Sequence, residues 1–159
     1  MKAKEGVIDL LNRILTADLT AINQYFVHAK ICDNWGYDRL HNKIRQRSFD
    51  EMKDAEELIE HILYLEGVPN MQRLSNVHVG ETVPEQFKVD LKTEQDMLKI
   101  LSDGVAHCVK VGDYTTRHKL EDMVKDTDEH IDWIETQQGL IEQVGLENYL
   151  SEQIKKVES

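Results

Sequence analysis

Three carboxylates, a threonine and a histidine interrupt stripes that are otherwise apolar. Asp18 lies between Ile14, Leu15 and Ile22, Tyr25, and Glu51 follows Ile44 and precedes Ala55 and Leu58. Glu94 sits between Leu91 and Leu98, and Thr127 and His130 lie between Met123 and Ile134. Burying an unpaired carboxylate is expensive, so several on converging stripes need a common reason. The spacing supplies one. Asp18 and Glu51 are 33 positions apart, as are Glu94 and Thr127. Asp54 follows Glu51 by three, and His130 follows Thr127 by three. Positions i and i+3 share a helix face. One side chain on a first helix and an i, i+3 pair on a second, given twice, is how some helical bundles hold two metal ions.

The elements that position these residues are helices almost throughout. Apolar residues recur at 7, 10, 11, 14, 15, 21, 22, 25, 26 and 29, the spacing of an amphipathic helix. Punctuation by Asn34-Trp35-Gly36-Tyr37, Glu66-Gly67-Val68-Pro69-Asn70 and Val111-Gly112-Asp113 predicts helices over about 5–34, 39–65, 82–111 and 114–144. A short fifth helix, about 146–155, follows Gly145. Thr82 and Glu85 have capping-box spacing, and Pro84 is tolerated in a first turn. Short links make helices one and two an antiparallel hairpin, and three and four another. Residues 66–81 lack helical pattern. Sixteen residues can span roughly 50 Å, more than the roughly 40 Å of a 27-residue helix. The connection can therefore travel the bundle and make helices two and three parallel. The expected fold is all-α: one ferritin-like domain over 1–159, a four-helix bundle with one long crossover and a short C-terminal helix.

Composition narrows the function. The 159 residues carry 19 Lys and Arg against 30 Asp and Glu, a net charge of −11, with 40% hydrophobic residues. That excess of negative charge argues against nucleic acid and is compatible with cations. No apolar run reaches membrane-spanning length, and the charged, amphipathic start lacks a signal-peptide core, so a cytoplasmic protein is expected. Cys32 and Cys108 are too few for a disulfide framework and are expected to be buried free thiols.

The chain resembles a bacterioferritin from end to end. The resemblance is carried by Leu19-Thr20-Ala21-Ile22-Asn23-Gln24-Tyr25, Asp50-Glu51-Met52-Lys53, Leu65-Glu66-Gly67-Val68-Pro69-Asn70 and His130-Ile131-Asp132-Trp133. It implies a hollow cage of two dozen subunits built from two-fold dimers, an iron store with a ferric mineral core, and haem b between subunit pairs. It also implies a diiron ferroxidase centre, and there the chain departs. The family's intact centre has Glu where this chain has Asp18 and Thr127, and His where it has Asp54. Glu51, Glu94 and His130 are kept. Asp18 loses roughly 1.5 Å of reach, one methylene. Asp54 exchanges a nitrogen donor for oxygen. Thr127 is the gravest change, because a hydroxyl cannot supply the bridging carboxylate's charge.

The resulting expectation is a degenerate metal site of Glu51, Glu94, His130, Asp18 and Asp54, with no catalytic residue assigned. Its four carboxylates could still neutralise two divalent ions. Arg47, one turn before Glu51, is placed to act as a surrogate cation in a hydrogen-bonded pocket. Met52 points about 100 degrees away from Glu51, on an outward stripe with Phe49, Ile59 and Leu63. The resemblance makes it the axial haem ligand, with the second copy supplied by two-fold symmetry. Asp50 and Glu121 are candidates to collect iron on the inner surface, although Gln46 stands where the family has a histidine that aids iron handling. Tyr25 can hydrogen-bond into the site or serve as a core tyrosine.

The reading favoured by the sequence is an iron-storage subunit that binds haem and oxidises iron weakly or not at all. A second bacterioferritin subunit with intact ligands would complement it, and a ferredoxin-type reductant would feed the haem. The alternative is an active ferroxidase with altered ligands. The lack of Cys-x-x-Cys pairs disfavours a rubrerythrin-like peroxidase. A plain structural bundle would be colourless and free of iron.

Overall fold

Stripes of apolar side chains at three- and four-residue intervals wind residues 2–156, those described by the computed structural model, into five helices. They are α1 (Val7–Asn34), α2 (Asp38–Tyr64), α3 (Val83–Val111), α4 (Tyr114–Val144) and α5 (Leu146–Gln153). The all-α bundle with a short C-terminal helix is therefore as the sequence implies. The bounds fall within two residues of the expected ones. The chain's punctuation explains why. At the end of α1, Tyr37 N donates to Cys32 O at 2.9 Å and Gly36 N to Asp33 O at 3.0 Å. At the end of α3, Asp113 N and Gly112 N repeat the pattern on Cys108 O and Val109 O. Gly36 and Gly112 adopt φ of 85° and 74°, which a glycine accepts without strain. The same motif closes α2, but there Glu66 carries the left-handed φ of 63°. Thr82 accepts from Glu85 N at 3.2 Å to cap α3, while the Glu85 carboxylate accepts from Glu81 N at 2.8 Å. The capping box is thus closed one residue earlier than its usual form.

The crossover is fastened along α1. Asn12 donates to Val68 O and accepts from Asn70 N, and Ser75 N donates to Thr20 Oγ1 at 2.9 Å. His78 N donates to Gln24 Oε1 at 3.1 Å, and Gly80 N to His28 Nε2 at 3.0 Å. Positions 20, 24 and 28 lie on one face of α1. The connection thus climbs about 24 Å of helix, from Asn12 to His28, and delivers α3 beside the start of α2. Residues 86, 90 and 94 of α3 then meet 32, 28 and 25 of α1 in descending order, so α3 runs antiparallel to α1 and parallel to α2.

The core comes in two apolar clusters. One holds Ile14, Leu15, Ala55, Leu58, Met97, Leu101, Leu120 and Met123; the other holds Ala21, Tyr25, Leu40, Ile44, Phe87 and Ile134. On every helix of the bundle the gap between the clusters is filled by buried polar residues. These are Asp18 on α1, Arg47, Ser48 and Glu51 on α2, Glu94 on α3, and Thr127 and His130 on α4. The polar layer crosses the bundle at one level. Cys32 and Cys108 are buried free thiols within the apolar clusters.

Candidate functional site

Asp18, Glu51, Glu94, Thr127 and His130 are all at most 6% exposed, and Asp54 is half-buried at the edge of the layer. Arg47 stands at the centre, itself buried. Its Nη2 lies 2.6 Å from Glu51 Oε1 and 3.2 Å from Glu94 Oε2, so one guanidinium bridges the carboxylates of two helices. Tyr25 donates its hydroxyl hydrogen to Glu94 Oε1 at 2.5 Å. Glu94 therefore has both oxygens engaged by groups of this chain. Asp18 Oδ2 and Arg47 Nε, both buried, have no hydrogen-bond partner among the described residues.

Burial dominates the protonation of the layer. It pushes the Glu94 carboxyl up to about 7, against the opposing pull of Arg47. Burial and then the Glu51 carboxylate raise Asp54 to about 7 as well. The same two causes hold Asp18 well above the usual carboxylate range. His130 is driven down to about 2 by burial and then by the positive charges of Arg47 and Lys43. It is thus a neutral imidazole at physiological pH, stacked on Trp133 with ring centres 5.6 Å apart and met edge-on by Tyr25 at 5.4 Å. The cluster is largely self-neutralised, by protons on some carboxyls and the guanidinium on others. Among the described residues, no three His, Cys, Asp or Glu side chains are disposed to hold a metal ion.

A cavity of about 460 Å³ opens on the layer between α2 and α4, lined by Arg47, Asp50, Asp54, Asp126 and His130 among others. Asp50 faces it while accepting from Gln46 Nε2 at 2.9 Å. Glu121 lies elsewhere, exposed and paired with Arg117 at 2.6 Å. The structure therefore does not bring Asp50 and Glu121 to one cavity. Met52 is 49% exposed on a face of α2 about 100 degrees round from Glu51, with Phe49 and Ile59 half-buried and Leu63 exposed along the same stripe.

One buried network was not anticipated from the sequence. Asp90, 2% exposed, accepts from Gln24 Nε2 at 2.9 Å and from His28 Nδ1 at 2.9 Å. His28 Nε2 accepts from Gly80 N, which fixes the tautomer with hydrogen on Nδ1. The available signal was Asp90 standing one turn before Glu94 on the same stripe of α3.

The comparisons agree with this architecture. The ferritin-like domain family matches residues 8–144. Over 156 residues, 98% of each chain, the protein is 44% identical to the bacterioferritin BfrA of Mycobacterium tuberculosis. It is 43% identical over 158 residues to the bacterioferritin of Streptomyces coelicolor, covering 99% of this chain and 95% of that one. It is 41% identical over 155 residues to the bacterial ferritin of Pseudomonas aeruginosa, covering 97% and 100%. Four long helices, one crossover and a central polar layer define a ferritin-like subunit. Within that class, the chain belongs to the bacterioferritin family. No helix among the described residues is long and apolar enough to cross a membrane.

Proposed function

We propose that the chain is an iron-storage subunit of a two-dozen-subunit cage, built from two-fold dimers, that binds haem b through Met52 and has little ferroxidase activity of its own. One observation carries this: a presented Met52 coexists with a carboxylate cluster already bridged by Arg47. The residues present fit haem. A thioether suits haem iron as an axial ligand, the Met52 stripe is apolar and half open in the single subunit, and a two-fold axis provides the second thioether. When bound, haem supplies a one-electron route through which a ferredoxin-type reductant can release stored iron. They do not fit a diiron ferroxidase. Thr127 brings no charge, and Arg47 engages Glu51 and both oxygens of Glu94.

Ferrous iron is accordingly oxidised by a partner subunit with intact ligands in a mixed cage. This chain contributes haem and, through Asp50 and Glu121, carboxylates that collect iron on the inner surface. The altered-ligand ferroxidase keeps one point in its favour: His130 is neutral, the form that binds metal. It requires Glu94→Ala and His130→Ala to abolish fast oxidation. The haem assignment is tested by Met52→Leu, which is expected to remove the haem absorption spectrum while the cage assembles normally. Haem retained in that variant would refute the assignment.

A further inference from the structure

The polar layer contains a cation of its own. Arg47 contacts Glu51 at 2.6 Å and Glu94 at 3.2 Å, and it also lines the cavity between α2 and α4. Asp18, Glu51 and Glu94 do not line that cavity. The guanidinium thus joins the lining of the open space to the buried carboxyl groups of Glu51 and Glu94. A planar guanidinium stays charged under all ordinary conditions and can serve two carboxylates at once. Thr127, on α4, adds no charge that would call for a second cation.

We infer that Arg47 is the resident cation of this cluster and that it excludes divalent metal ions from Asp18, Glu51 and Glu94. The inference deepens the functional reading, resting on it only in taking this cluster as the place where a ferroxidase would bind iron. It is independent of haem, because Met52 lies on another face of α2 and does not line the cavity. It makes the loss of metal a positive feature of the chain: Arg47 occupies the charge position, and a metal would have to displace it. A unit charge about 4 Å from a divalent ion weakens its binding on the order of a millionfold at an effective dielectric of about 20.

The test is titration of the iron-free assembled protein with cobalt(II), read by visible d–d absorption and by calorimetry. Each form is compared with its own Glu94→Gln counterpart, to subtract surface binding. Wild type is expected to show no cobalt binding that depends on Glu94. Arg47→Gln is expected to gain about one Glu94-dependent site per subunit, several orders of magnitude tighter than anything wild type shows there. Arg47→Lys, which keeps the charge, is expected to bind as wild type does. Glu94-dependent binding in wild type or Arg47→Lys would overturn the inference, and so would its absence in folded Arg47→Gln. If Arg47→Gln fails to assemble, the wild-type and Arg47→Lys titrations decide alone. The haem spectrum of the same samples reads the Met52 assignment separately.

Discussion

Replacing Arg47 by methionine keeps most of the side-chain volume and removes the charge, leaving two carboxyl groups that are 1–2% exposed without their cation. Glu94, whose carboxyl already sits up at about 7, can shed its charge at modest cost near neutrality. Glu51, which holds the shorter contact of 2.6 Å, carries most of the penalty. Removing one partner of a buried pair costs about 3–5 kcal/mol, even where the intact pair adds little net stability. For a domain of this size each kcal/mol moves the thermal midpoint by about 2–4 °C, so Arg47→Met should melt about 6–20 °C lower. The assay is circular-dichroism melting at pH 7.5 with a chelator present, so that adventitious metal cannot replace the guanidinium. Arg47→Met/Glu51→Gln should recover at least half of the loss, since the stranded charge goes with its partner. A single variant within about 1 kcal/mol of wild type, or a double variant that is simply additive, would refute the role given to Arg47.

Other outcomes follow from the crossover and from the capped end of α4. A Cβ at Gly80 would stand 2.4 Å from Gln86 N and 2.7 Å from its Cα, both backbone atoms that cannot swing aside. Gly80→Ala should therefore displace the strap end from His28, lower the melting temperature by several degrees, and speed amide exchange at residue 80. An unchanged exchange rate there would contradict the contact. His61 is buried against Thr116 Oγ1 at 2.7 Å, and burial followed by Lys119 lowers its pKa. The unfolded state then binds the proton more readily, so this contribution is present above about 6.5 and is lost as pH falls below it. Wild type should lose stability relative to His61→Gln between pH 7.5 and 5.5; parallel melting curves over that range would exclude the linkage.

Much of the architecture is legible in the sequence because local rules govern it. Gly36, Gly112 and Thr82 mark ends that depend on a few neighbouring residues. The length of the crossover requires it to span the bundle. The polar layer announces itself through carboxylates at core positions and through two intervals of 33. What the sequence conceals is contact between helices. The i, i+4 rule pairs Arg47 with Glu51, but nothing local indicates that the guanidinium also reaches Glu94 on α3. The fastening of the crossover by Thr20, Gln24 and His28 is hidden for the same reason. Its acceptors lie on a helix face and its donors are backbone N–H groups more than 50 residues away. Asp90 has no counterpart in the 33-residue repeat, so its role shows only in its contacts with Gln24 and His28 on α1.

The central claim, a haem-bearing storage subunit whose metal cluster is closed by its own arginine, is tested most directly by iron oxidation on the pure homopolymer. Anaerobic ferrous loading followed by stopped-flow mixing with oxygen should give only slow oxidation, with no burst and with the same trace in Glu94→Ala. A fast phase consuming two irons per subunit, lost in Glu94→Ala and His130→Ala, would contradict it.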